Sequence, residues 1–347
     1  MKIFLFCVLA CVLIHTATGQ SAPQPTVEFS DVSLVKLEDF GHVRLGYPTC
    51  GSDGTSFFLS VLNPSVSTQT RLISVSPAGK VTRFELTSVP GLKPRVGVRS
   101  FVVDADGVTV LAGAQASTAG PLQNSDQFLL QFDSSGNLKG VSGLKKDFTL
   151  VRIASFRGNR LLGLGLMEGS ETPELRVMDK TGAALEKVQV AASILSPEEL
   201  QDYLSRNPVD GMETQPISDQ VKFALSSLEL TSADKGVLVF KPGPAPWVMR
   251  IESTGKVSKL EIKPPMGVEL RSIVNFGSEL SIVAFGKNDR NAHILQFDKR
   301  DGHSIGELKI VGIASTSAIC LKSGTYYGVR ISKTEADLVE GHLVKTQ

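Results

Sequence analysis

Two patterns of apolar and polar positions alternate down the chain. In the first, a glycine separates two runs that are apolar at almost every position. Phe101-Val-Val-Asp-Ala-Asp-Gly-Val-Thr-Val-Leu-Ala112 and Ile273-Val-Asn-Phe-Gly-Ser-Glu-Leu-Ser-Ile-Val283 are examples, and the turn glycines are Gly54, Gly107, Gly158, Gly236, Gly277 and Gly324. Runs of this kind predict strands covered on both faces. In the second pattern apolar and polar residues alternate with period two, as in Phe128-Leu-Leu-Gln-Phe-Asp-Ser-Ser-Gly-Asn-Leu138. Its turns are Ser76-Pro-Ala-Gly79, Asp133-Ser-Ser-Gly136, Asp179-Lys-Thr-Gly182, Glu252-Ser-Thr-Gly255 and Asp298-Lys-Arg-Asp-Gly302. An acidic or hydroxyl side chain opens each turn by accepting backbone N–H groups ahead of it, and glycine closes it at positive φ. Period two leaves one face in water, which suits outer strands.

A buried hairpin followed by a half-exposed one makes a four-stranded unit. Successive second-pattern glycines are 57, 46, 73 and 47 residues apart, the period of a β-propeller blade. Six hairpins of the first kind face five of the second. A last unit built from Ala318–Ile331 and Leu338–Val344 would be completed by the N-terminal strand Val27–Leu37, closing the ring and hiding its edges. The chain so read resembles six-bladed β-propellers of secreted, bacterial type over nearly all its length, and no one family among them. Trp-Asp blade endings and kelch-type Gly-Gly pairs are missing, and Ser52-Asp53-Gly54-Thr55 only partly matches a sialidase Asp-box. The expectation is an all-β fold: one six-bladed propeller domain over 20–347. A β-sandwich or an open array of hairpins is the alternative. Propellers host binding proteins, lyases and lactonases alike, so the resemblance implies no activity.

One segment breaks the period. Ser196 suits a helix N-cap, Pro197 the first turn, and Glu198 and Glu199 the positive end of the helix dipole. Leu200, Tyr203 and Leu204 form an apolar stripe, and Pro208 ends it. Ile194–Lys222 therefore reads as an inserted loop carrying a short helix, either an ornament or a cap over one propeller face.

The N-terminus changes the picture of where the fold works. Lys2, the apolar run Ile3–Ile14 and the small residues Ala17-Thr18-Gly19 read as a signal peptide over 1–19, cleaved before Gln20. Roughly 12 apolar residues fall short of the ~20 that span a bilayer. The alternatives are a buried first strand or a lipoprotein at Cys11. A secreted or periplasmic protein is expected, without a transmembrane segment. Cleavage leaves Cys50 and Cys320, each in a Cys-x-x-x-Gly-Thr pattern near opposite ends of the chain. In a closed ring the first and last units are neighbours, so the two suit a disulfide at the closure, with two buried thiols as the alternative. A net charge of +1 excludes the basic excess of a nucleic-acid binder. A monomer is expected.

Candidate chemistry is sparse. His42, His293, His303 and His342 stand apart from any metal-ligand spacing, and Asp104 and Asp106 give too few carboxylates for Ca²⁺. No metal or cofactor is expected, and no nucleophile motif occurs. Three units are read as beginning their inner strand with an arginine: Arg99, Arg152 and Arg271. Inner strands start on one face of a propeller, so these guanidinium groups would meet at the channel mouth and suit a carboxylate or phosphate. Trp247 follows the stiff Pro-Gly-Pro-Ala-Pro loop, as a ligand-stacking aromatic or a plug between blades. The leading expectation is a non-catalytic binder of a protein partner or small acidic ligand at the mouth. The alternatives are a secreted hydrolase or lyase acting on an acidic or sugar substrate, and a structural module of an extracellular assembly.

Overall fold

The computed structural model describes residues 25–36, 42–50, 53–62, 69–86, 89, 92, 95–115, 126–190, 194–233, 235–277, 279–286, 292–311, 318–331 and 335–344. The leader expected over 1–19 lies outside them. Strand β1 (Thr26–Lys36) comes first. Four four-stranded antiparallel sheets follow in chain order. The first holds β2 (His42–Cys50), β3 (Ser56–Leu62), β4 (Gln69–Val75) and β5 (Val81–Phe84). The second holds β6 (Arg95–Asp104), β7 (Gly107–Gln115), β8 (Asp126–Phe132) and β9 (Leu138–Gly143). The third holds β10 (Phe148–Phe156), β11 (Arg160–Met167), β12 (Pro173–Asp179) and β13 (Ala184–Val188). The fourth holds β14 (Glu229–Ala233), β15 (Gly236–Lys241), β16 (Trp247–Glu252) and β17 (Val257–Glu261).

The remaining strands are β18 (Val268–Phe276), β19 (Leu280–Gly286), β20 (Ala292–Phe297), β21 (Ser304–Val311), β22 (Ala318–Lys322), β23 (Thr325–Ile331) and β24 (Glu335–Val344). They form, with β1, one eight-stranded sheet in the order β18-β19-β20-β21-β1-β24-β23-β22. Here the structure differs from the sequence-based expectation of six separate four-stranded sheets. The cause is a short parallel pairing of β1 with β21, Thr26↔Lys309 to Glu28↔Val311. On its other edge β1 pairs antiparallel with β24 from Thr26↔Val344 to Lys36↔Glu335. The eight-stranded sheet is curled, because Val283, Ile294 and Leu308 of one half share a core cluster with Ile319, Tyr326 and Val339 of the other.

The small sheets are arranged as in a propeller. First strands lie side by side in the circuit β2, β6, β10, β14, β18, β22 and back to β2. Apolar clusters fill the spaces between consecutive sheets: Phe84, Phe57 and Phe132 between the first and second, and Leu129, Leu150 and Met178 between the second and third. Each fully buried Leu or Phe contributes about 1.5–3 kcal/mol. Between the third and fourth sheets the chain makes two helices, α1 (Pro197–Arg206) and α2 (Ile217–Leu225). The second helix falls where the sequence reads as a polar stretch. Its stripe of Val221, Ala224 and Leu225 is buried against the third sheet, and that burial outweighs the polar composition of its outer face. Among the described residues no helix is long and apolar enough to cross a membrane.

The turns follow the sequence logic. Asp133 Oδ1 accepts from Ser135 N and Asn137 N, and Asp179 Oδ1 from Thr181 N and Ala183 N. Gly302 shows what a turn glycine does between sheets. Its φ is +73°, and a Cβ there would sit 1.8 Å from Glu261 O at the end of β17. Gly158 has φ +72° but nothing within 4 Å. Gly158→Ala is therefore expected to cost about 1 kcal/mol of backbone strain, and Gly302→Ala about 2 kcal/mol or more because the β17 backbone must also move. Urea denaturation midpoints check the order, and equal losses would refute the close approach.

Candidate functional site

The inner strands carry a repeated irregularity that decides where their side chains go. Pairing slips by one residue at Arg99 in β6, at Val151 in β10 and at Arg271 in β18. The extra residue of such a bulge stands outside the ladder. Counting from it, Arg152 occupies the place of Ser100 and Ser272, not that of the other two arginines. Counting back from the two-residue turns Asp104↔Gly107 and Ala233↔Gly236, Glu229 shares the place of Ser100.

These equivalent positions form a polar belt that clips neighbouring sheets together. Ser100 Oγ accepts from Ile153 N at 3.2 Å, and Glu229 Oε2 accepts from Ile273 N at 3.1 Å. Arg152, 4% exposed, fills the same place with a donor. Its Nε donates to Leu228 O (3.1 Å), one Nη to Arg99 O (2.5 Å) and Val151 O (3.4 Å), and the other Nη to Ser226 O. One guanidinium thus ties the second sheet, the third sheet and the C-terminal end of α2, where a cation also meets the negative end of the helix dipole.

The sequence-predicted residues therefore separate. Arg152 is built into the scaffold. Arg99 is half-buried, and burial lowers its guanidinium to about 10, still charged at neutral pH. Arg271 is more than half exposed, 3.2 Å from Glu269 and with its Cζ 5.8 Å from the Phe285 ring centre. Trp247 is 2% exposed and lies under α1. Its Nε1 donates to Glu199 Oε1 at 2.8 Å, and Lys241 Nζ reaches the same oxygen at 3.0 Å. Glu199 Oε2 accepts from Ser196 N while Ser196 Oγ accepts from Glu199 N, completing a capping box. Burial works to raise the Glu199 carboxyl, but its hydrogen bonds from Ser196, Trp247 and Lys241 prevail and hold it below the usual range. Cys50 and Cys320 lie in β2 and β22, which are neighbours, but their side chains lie outside the described residues.

Glu229 is the residue that sequence reasoning misses. It keeps some contact with solvent yet is surrounded by protein. Burial pushes its carboxyl up to about 7, against the opposing bonds from Thr231 and Ile273 and the charge of Arg152. The signal was present as Glu229, an acidic residue opening an inner strand where other units have arginine or serine. A cleft of about 390 Å³ opens where α2 meets the starts of β8 and β10 and the end of β11. Among the described residues no group of three or more His, Cys, Asp or Glu could hold a metal ion.

No protein-family model and no curated protein matches the chain. Solved structures similar to it include a subtype N11 neuraminidase-like protein of A/flat-faced bat/Peru/033/2010, at 10% identity over 92% of this chain and 94% of that one, with TM-score 0.49. A protein of unknown function from Bacteroides caccae aligns at 10% identity over 81% and 82%, with TM-score 0.41. A putative 6-phosphogluconolactonase from Bacteroides fragilis NCTC 9343 aligns at 9% identity over 84% and 82%, with TM-score 0.39. No activity passes to this chain from proteins so distant and so unlike one another.

Glu199→Ala strands Ser196 N and Trp247 Nε1 and leaves Lys241 only Ala245 O, and is expected to destabilise by about 3 kcal/mol. Because Trp247 is the sole tryptophan, its fluorescence should shift to the red in this variant. An unchanged emission maximum would sink the hub. For Glu229 the sign runs the other way from a paired carboxylate. A folded pKa raised to about 7 gives stability that is complete below the unfolded value and lost as pH rises through 7. Glu229→Gln should therefore melt higher than the parent above pH 7, and the gap should close toward pH 4.5. A gap independent of pH would refute the burial.

Proposed function

We propose that the chain is a secreted six-bladed propeller, a single domain over 20–347, that binds a protein partner or a small acidic ligand without turning it over. The eight-stranded sheet counts as two blades, β18–β21 and β22–β24 with β1, fused along three residue pairs. The circuit of inner strands supports this count. Binding belongs to the face where the inner strands begin, with Arg271 as its exposed guanidinium, paired with Glu269, and Arg99 beside the mouth. Arg152 and Trp247 belong to the scaffold beneath.

The observation that carries the non-catalytic reading is the engagement of the central polar groups. Arg152 donates to four main-chain carbonyls, and Glu229 accepts from Ile273 N and the Thr231 hydroxyl. Groups so held hold blades. One observation favours the hydrolase or lyase reading: Glu229 near Arg152, with a carboxyl near 7, has the affinity for protons that a general base needs.

A thermal-shift screen of acidic metabolites, followed by mass spectrometry of the added compound, separates the two. Binding predicts a rise in Tm that Arg271→Glu abolishes, with the compound recovered unchanged. A compound consumed by the parent and spared by Glu229→Gln would establish the enzyme instead. We further propose a Cys50–Cys320 disulfide closing the ring, supported by the adjacency of β2 and β22. Alkylation followed by non-reducing mass spectrometry should find no free thiol in the mature protein, and two alkylated cysteines would end the idea.

A further inference from the structure

The cleft at α2 goes beyond the mouth just described and has its own chemistry. Its lining is mostly polar, with charged groups of both signs beside a smaller apolar share from Leu144, Phe148 and Met167. Most of those charges are matched inside the protein: Lys146 lies 3.3 Å from Asp126, and Lys222 2.8 Å from Asp219. Two are not. Lys145 and Glu168 line the same cleft, both exposed, and neither has an ion-pair or side-chain hydrogen-bond partner among the described residues. Their loops are fixed to each other and to the sheets. Glu168 N donates to Asp147 O at 2.8 Å, and Leu144 N donates to Gln127 O at 2.9 Å. Gln127 itself is buried and bonds Leu150 through both ends of its amide, at 2.7 and 2.9 Å. The two opposite charges are thus carried on anchored backbone beside a small apolar patch.

We propose that this cleft binds a small zwitterion with an apolar body: an apolar α-amino acid or a short peptide. Lys145 takes the carboxylate, Glu168 takes the ammonium, and the side chain lies against the part-exposed Leu144 and Met167. The volume of about 390 Å³ lies within the range of small-molecule sites. A simple anion would satisfy Lys145 and leave Glu168 facing it with the same sign. A simple cation would do the reverse, so only a ligand carrying both charges is complementary to the pair.

Calorimetric titration of the mature protein tests this with four probes: L-phenylalanine, the dipeptide Phe-Phe, N-acetyl-L-phenylalanine, which lacks the ammonium, and phenethylamine, which lacks the carboxylate. Phenylalanine or the dipeptide should bind, and each singly charged probe should bind about tenfold or more weakly, the worth of one charge-assisted bond. The preferred member of the first pair tells whether the free amino acid or the peptide fits. Lys145→Met should erase the preference for phenylalanine over phenethylamine, and Glu168→Gln the preference over the acetylated compound. Both residues are exposed, so the melting temperature without ligand should stay unchanged. Arg271→Glu should leave this binding intact, which keeps its outcome separate from that of the mouth. Absence of binding by every probe, equal binding of all four, or discrimination that survives both variants would overturn the proposal.

Discussion

The structure depends on how adjacent sheets are joined where their first strands crowd together. Each first strand turns one edge toward its neighbour without a ladder to pair it, so buried N–H and C=O groups there need other partners. In three of the sheets an equivalent position supplies some of them, and Gln127 and Ser232 supply others. Ser100 does so with a hydroxyl, Glu229 with a carboxylate and Arg152 with a guanidinium. Three chemically unlike residues meet one demand, because the demand is only for a polar group of the right reach. Arg152 has the longest reach and so gathers α2 as well as two sheets. Removing a partner from such a bond costs more than the bond contributes, since the orphaned group stays buried.

That constraint bears on the proposed binding function: Ser100, Arg152 and Glu229 are engaged with backbone, so a binding role of the kind proposed would fall to the surface around the mouth and beside the inserted helices. The insertion is itself well held. Glu199 draws its N-cap, Trp247 and Lys241 onto one carboxylate, and Leu200, Val221 and Leu225 extend the apolar core between the third and fourth sheets. It is part of the fold rather than an appendage, and it forms one wall of the cleft. Rigid walls of this kind favour binding, because little order has to be imposed when a ligand arrives.

Most of the architecture was legible in the sequence. The glycine-centred turns, the two classes of strand and the Ser196 cap have local causes that residues declare directly, and the pairing of the N-terminal segment with the last strand follows from the uneven count of hairpins. The second helix was not legible, since Asp219, Gln220 and Lys222 advertise solvent while Val221, Ala224 and Leu225 answer to a surface supplied by the third sheet. The arginines take different positions for a sharper reason. Arg99, Arg152 and Arg271 look equivalent when strands are counted from their starts. A bulge at Val151, not at Arg152, shifts the third sheet by one residue. In a strand one residue is the difference between opposite faces, so Arg152 is buried and Arg271 is exposed.

The same slip bears on why Glu229 was overlooked and why it matters. A position read by spacing alone contains either an arginine or nothing of interest. Read by register, it is the belt, and in the fourth sheet the belt residue is an acid. Its bond to Ile273 N requires only an acceptor, which a serine supplies at the equivalent place in the second sheet. The charge is therefore surplus to the structural task, and burial makes that surplus unfavourable above neutral pH. An uncharged residue would hold the sheets at least as well. What the carboxylate adds is a proton that comes and goes near pH 7, beside the one guanidinium that ties three parts of the fold together.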